Sequence, residues 1–93
     1  LEAARYKQLK LMEKAGQLTN LELQPKFPCE VNGKKICTYI SDFRYTLKNG
    51  KEVVEDVKGV ETAVFKLKKK LVEALYPDVT IEIVKNPRFF VVL

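Results

Sequence analysis

"YISDFRYTLKNGKEVVEDVKG", residues Tyr39 to Gly59, decides the fold. Two runs rich in aromatic and β-branched residues flank Asn49-Gly50, the strongest short signal for a hairpin turn. The first run ends a long strand predicted over 35–47, and the second is its partner over 51–58. Which face each side chain occupies then depends on one loop residue. A two-residue Asn49-Gly50 loop pairs Lys48 with Lys51 and sets Asp42 opposite Val57, so that Asp42 lies on the face away from Asp56 and Lys58. A three-residue loop, Lys48-Asn49-Gly50 with Gly50 left-handed in a G1 bulge, pairs Leu47 with Lys51 instead. Asp42 then faces Asp56, with Lys58 two residues along the same face. Asn-Gly by itself favours the shorter loop, and a bulge elsewhere in the long strand would also restore the convergence. Like charges opposed across a ladder are destabilising unless neutralised, and a divalent cation neutralises them.

On the N-terminal side, residues 1–15 are good helix formers without Gly or Pro. Wound at 3.6 residues per turn, Leu1, Ala4, Leu11, Met12 and Ala15 share a stripe, with Leu9 at its margin and Glu2 at its edge beside Tyr6. Gly16 supplies the stop. The abrupt beginning inside this helix predicts further residues upstream. Residues 20–27 alternate as a strand, with Pro25 marking an edge or a bulge, and Val31-Asn32-Gly33-Lys34 is a turn. On the C-terminal side, Thr62 caps a helix running to about Tyr76, with Val64, Leu67, Leu71 and Leu75 as the expected buried row. A strand over 79–84 follows. Phe89 to Leu93 closes the chain as a strand apolar on both faces, either covered or serving as a homodimer contact. Helix, three strands, helix and two strands make one α+β domain over 1–93.

The chain has 93 residues and a hydrophobic fraction of 46%, enough to pack a small core that buries about 60–65% of the unfolded surface. No apolar run reaches the roughly 18 residues that cross a membrane, and no signal-peptide pattern is present, so a cytoplasmic location is expected. Cys29 and Cys37 can face each other across adjacent strands, as a disulfide or, in a reducing compartment, as a reduced pair. With no histidine and no Cys-x-x-Cys, a structural zinc site is excluded. The net charge of +5 favours a polyanionic partner.

Five segments in order, "LEAARYKQLKLMEKAG", "LTNLELQPKF", "TYISDFRY", "EVVEDVKG" and "TAVFKLKKKL", resemble the small phage- and prophage-encoded nuclease-like proteins of the PD-(D/E)xK superfamily. The same ordering is similar to the endonuclease subunit of some transposases and, more distantly, to archaeal Holliday junction resolvases. The likeness covers residues 1 to about 75. It implies a restriction-endonuclease-like core of helix, three-stranded antiparallel meander, helix and strand. It also implies Mg²⁺-dependent cleavage of DNA, on branched or recombination intermediates, with Mn²⁺ able to substitute. Asp42 stands at the first acid, with Ser41 in place of the proline. Asp56 and Lys58 stand at the acid-x-Lys element, and Glu2 at the helix carboxylate. Gln24 matches a polar position near the site in some relatives.

These residue types suit phosphodiester cleavage. Mg²⁺ keeps several waters and is held by one or two carboxylates, here Asp42 and Asp56, with the Val57 carbonyl oxygen and, through water or a second ion, Glu2. Lys58 would orient or deprotonate the attacking water, or meet the growing negative charge. Arg5, Lys66, Lys68, Lys69 and Lys70 are candidate phosphate contacts, which position DNA without reading its sequence. Glu55 is expected exposed or paired with a neighbouring base, and Tyr39, Phe43 and Tyr45 in cross-strand packing. The alternatives are a catalytically silent DNA-binding relative and a basic protein-interaction domain.

Overall fold

The computed structural model describes residues 2–85. The elements run α1 (Glu2–Lys14), β1 (Leu18–Leu23), β2 (Lys26–Val31), β3 (Lys34–Ile40), β4 (Phe43–Leu47), β5 (Glu52–Val57), α2 (Ala63–Leu75) and β6 (Ile81–Val84). This is an α+β arrangement. The strand expected over 89–93, the dimer contact expected of it, and Leu1 lie outside the described residues.

One long hairpin, bent in the middle, organises the chain. Its arms are β1–β2 and β3–β4. At its tip Val31 pairs with Lys34, and Asn32 (φ 52°) and Gly33 (φ 76°) form a two-residue loop of the kind that needs positive φ at both positions. Pairing continues through Phe27–Tyr39 and Lys26–Ile40, then resumes beyond the bend as Leu23–Phe43. Two backbone hydrogen bonds carry the ladder across the break: Ser41 N–H to the Pro25 carbonyl (3.1 Å) and Gln24 N–H to the Asp42 carbonyl (2.9 Å). The meander expected from strands 20–27 and 35–47 is thereby corrected, since each strand is two. Gln24 is left-handed (φ 52°) and Pro25 lacks an N–H, so neither can continue a regular ladder.

Among the described residues, only the half beyond the bend is extended into a sheet, ordered β1-β4-β5-β6, while β2-β3 is a two-stranded ribbon. The neighbours β4 and β5 are antiparallel. β6 returns parallel to β5 after the α2 crossover, as parallel pairing requires a long connection.

Side chains on the two faces of β5 enter different cores. Val53 joins Leu9, Leu18, Phe43 and Tyr45 on the α1 side. Val54 joins Phe27, Cys29, Tyr39, Phe65, Val72 and Ile81 on the α2 side. Thr62 caps α2 as expected, accepting from the Phe65 N–H at 3.1 Å, and at the other end the Tyr76 hydroxyl donates to the Pro28 carbonyl at 2.6 Å.

Both helices sit rotated from the faces their apolar stripes suggest. In α1 it is Arg5 and Leu9 that point inward, while Leu11 is 55% exposed; the turn is set by Arg5, which reaches into the sheet. In α2 the inward pair is Phe65 and Val72, and Val64 and Leu67 are exposed. The larger aromatic ring takes the core position, and the Val64–Leu67 row is displaced to the side. Cys29 and Cys37 are directly paired across β2 and β3 as free thiols, and burial pushes the Cys29 thiol pKa up, reinforced by its hydrogen bond with Cys37. No helix among the described residues is long and apolar enough to cross a membrane.

Candidate functional site

The site is built where the bent hairpin meets β5. In the second hairpin Phe43 pairs with Glu55, Tyr45 with Val53 and Thr46 with Glu52. The Leu47 N–H donates to the Lys51 carbonyl (2.8 Å) and the Gly50 N–H to the Leu47 carbonyl (2.9 Å), with Gly50 at φ 86°. This is the three-residue loop, and its register continues to Asp42 opposite Asp56. The Asp42 carboxylate accepts the Val57 N–H at 2.8 Å, closing the end of the ladder with a side chain. Ser41 is buried and its hydroxyl donates to the Glu55 carbonyl at 2.6 Å. A proline at that position would offer no such bond, so Ser41 fastens the bend to β5 in its own way.

Asp56 is 1% exposed. Its carboxylate accepts from the Tyr39 hydroxyl and from the backbone of Asp42, while Lys58 lies close enough to act on its charge. Burial nonetheless dominates and pushes its pKa up from 3.8 to about 6, with the charge of Glu2 adding to the rise against Lys58 and the Asp42 hydrogen bond. The Lys58 ammonium rests 4.9 Å from the centroid of the Phe65 ring, a favourable cation–π position. A carboxylate held reluctant to ionise gains most from a nearby cation.

That donor set can be tested against a divalent ion. Among the described residues no three or more Asp, Glu, His or Cys side chains are grouped to hold a metal, so the protein offers a pair, Asp42 and Asp56. Mg²⁺ typically takes one or two carboxylates and fills its octahedron with water and substrate oxygens. The two carboxylates, with Asp56 held reluctant to ionise by burial, fit that ion.

With the geometry in view, comparison with known proteins gives one match: the family model described as a protein of unknown function, DUF1064, aligns with residues 1–90. The chain belongs to the DUF1064 family. No curated protein and no solved structure matches it.

The other expected site residues of this DUF1064 chain divide sharply. Glu2 is exposed in the first turn of α1 and acts electrostatically on Asp56. Gln24 is exposed, with its backbone tied to Asp42. At Val57 the atom seen in contact with Asp42 is the amide N–H. On α2, Lys66 and Lys70 are exposed and Lys68 and Lys69 half-buried, and Lys69 reaches Glu73 at 3.3 Å.

Arg5 is corrected as a surface phosphate contact. It is 7% exposed and makes a two-pronged pair with Glu55, Nε–Oε1 at 2.5 Å and an Nη2–Oε2 bond at 3.0 Å. Glu55 is therefore buried with a base partner, not exposed, and it also accepts from Tyr45 at 2.5 Å. Burial, then the Glu55 bond, pushes the Tyr45 phenol pKa up. This network locks α1 to β5 three residues after Glu2. Tyr39, as a donor to Asp56, and Phe65, beneath Lys58, escape the strand and helix patterns because both also fill core positions.

Proposed function

We propose that the chain is a Mg²⁺-dependent DNA endonuclease of the PD-(D/E)xK kind, with the restriction-endonuclease-like core, acting on branched or recombination intermediates. The observation that carries this reading is the meeting of Asp42, Asp56 and Lys58 at the hairpin bend, brought about by the three-residue turn. Asp42 and Asp56 would hold the ion, with Glu2 reaching it through water. The bound ion would supply charge neutralisation at the phosphate and a more acidic water. Tyr39, donating to the buried Asp56 carboxylate, fixes its orientation. Lys58 meets negative charge as it builds on the scissile phosphate. Lys66, Lys68 and Lys70, together with the net charge of +5, attract and position the polyanion. Gln24, fastened beside Asp42, is placed to meet the same strand.

Purified protein incubated with linear and branched DNA is expected to cut in Mg²⁺ or Mn²⁺, to stay inactive in EDTA, and to lose cleavage on Asp56→Asn. Cleavage that survives Asp56→Asn, or that needs no metal, sinks the reading. Salt-sensitive DNA binding without cleavage in either ion favours the silent relative.

A further inference from the structure

Beside Lys58 lies a cleft of about 310 Å³, walled by Thr38 and Ile40 of β3 and by Val64, Phe65 and Lys68 of α2. Two features suit it to an anionic ligand with an apolar part. It brings two cations together: Lys58, which acts on the charge of Asp56 without an ion pair, and Lys68, which forms no ion pair with a carboxylate among the described residues, whereas its neighbour Lys69 pairs with Glu73. Its apolar walls are also open to solvent, Ile40 being 52% and Val64 64% exposed. Apolar side chains at the lip of a doubly cationic cleft match a ligand with a flat apolar part and an anionic part.

We propose that this cleft seats one unpaired nucleotide of a DNA strand, its phosphate held between Lys58 and Lys68 and its base against Ile40 and Val64. The choice of a nucleic acid rests on the nuclease reading above. The choice of a single unpaired nucleotide rests on size, because the cleft is at the lower bound of ligand pockets, roughly 300 Å³, and a base pair is too wide for it. Lys68 supplies a phosphate contact and the aliphatic lip an apolar surface for one face of the base, neither of which reads sequence. Because Lys58 belongs to both the cleft and the Asp42–Asp56 site, the seated nucleotide adjoins the bond to be cut. Unpaired nucleotides next to that bond, as at a flap or junction, are then favoured over continuous duplex.

The test is a metal-free titration of ¹⁵N-labelled protein, followed by amide shifts, with thymidine 5′-monophosphate, inorganic phosphate and thymidine as separate probes. Shifts are expected at Thr38, Val64 and Lys68, with the mononucleotide binding several-fold tighter than either fragment. Lys68→Gln should weaken it roughly tenfold, the size of one charge-assisted hydrogen bond. Lys68→Arg should retain it, and Lys34→Gln, which removes the same charge at the distant hairpin tip, should leave it unchanged. Equal binding of phosphate alone, shifts confined to other surfaces, or no loss on Lys68→Gln overturns the seat. Each variant's own spectrum reports whether it is folded. Mg²⁺-dependent cleavage without mononucleotide binding overturns this inference and leaves the nuclease standing. Binding in the cleft without cleavage does the reverse.

Discussion

The molecule contains Asn-Gly twice, and the two pairs do different things. Asn32-Gly33 closes its hairpin as a two-residue loop with both residues at positive φ. At Asn49-Gly50 only Gly50 is left-handed, and Asn49 instead turns its side-chain oxygen to the Lys51 N–H at 2.9 Å, so Lys48 joins the loop. The difference is one residue of register, and in a strand that exchanges the two faces. At the first turn a further register shift between Cys29 and Glu30 separates the loop from Phe27, Cys29 and Tyr39, which enter the α2 core. At the second, everything in β5 depends on it: Val53 and Glu55 point to the α1 core, Val54 and Asp56 to the α2 core. Turn sequence proposes a loop, and the burial it imposes on the strands decides which is taken.

The largest way to break the contrast is to attack the face opposite the site. The register that turns Asp56 toward Asp42 also buries Glu55, which Arg5 neutralises. Arg5→Met should cost about 3–5 kcal/mol in urea unfolding followed by circular dichroism, since it strands a buried carboxylate. Arg5→Met/Glu55→Leu should recover most of that loss. A cost below about 1 kcal/mol for Arg5→Met would show that the pair is solvated like a surface bridge.

Next in size is Asp56 itself. Its folded pKa of about 6 lies above the ordinary 3.8, so the folded state holds this proton more tightly than the unfolded chain. Its contribution to stability is therefore fully present below about pH 4, is lost as pH rises to about 6, and leaves above that a constant penalty on the order of 2–3 kcal/mol. Asp56→Asn should be more stable than the parent at pH 8, by about 1–3 kcal/mol, and nearly equal to it at pH 4. Mg²⁺ should raise the melting temperature of the parent at pH 8 and leave that of Asp56→Asn unmoved. Greater instability of the Asn variant at both pH values would mean that the carboxylate is held ionised by its neighbours.

Much of this was legible from residues alone, and the failures share a cause. Alternation located the strands, Thr62 announced the α2 cap, and the weighing of two loops at Asn49-Gly50 identified the right question. The bend showed only as Pro25, marked as an edge or a bulge, because the apolar and aromatic residues on both sides of Ser41-Asp42 hide the break in the long strand and a left-handed Gln24 has no sequence signature. The helix faces were misread because α2 carries two apolar rows, Val64-Leu67-Leu71-Leu75 and Phe65-Val72, and only the sheet beneath selects between them. For Glu55, expected exposed or paired with a base, the second alternative holds through Arg5, because β5 is covered on both sides. Asp42 and Asp56 were singled out by likeness to a motif, and their placement opposite each other is a property of packing.

A smaller effect separates the two turns directly. Gly33→Ala and Gly50→Ala each place a β-carbon on a left-handed residue, and neither would meet an atom within 4 Å, so each should cost about 1 kcal/mol from the backbone alone. Their consequences for DNA cleavage should differ. Strain at Gly33 stays at the hairpin tip, while strain at Gly50 bears on the Phe43–Glu55 register and should slow cleavage by more than the lost stability explains. Equal activity in the two variants would show that the β5 register is held by its cores and not by its turn.

The smallest expected change comes from deleting Lys48. The chain then reads Leu47-Asn49-Gly50-Lys51, the same length of loop as Val31-Asn32-Gly33-Lys34, and Leu47 can still pair with Lys51. Asn49 must move to positive φ, which Asn tolerates well, and its bond to the Lys51 N–H gives way to those of the tighter turn. Lys48 is exposed, so no burial is lost. Melting temperature should shift by no more than about 4 °C, the equivalent of under ~1 kcal/mol in a domain of this size, and metal-dependent cleavage should persist. The deletion separates loop length from register, which the native turns vary together. Retained cleavage would establish that the site needs Leu47 opposite Lys51 and is indifferent to how that pairing is reached. Loss of cleavage in a folded variant would mean that the G1 bulge sets the twist of β4 and β5, and with it the approach of Asp42 to Asp56.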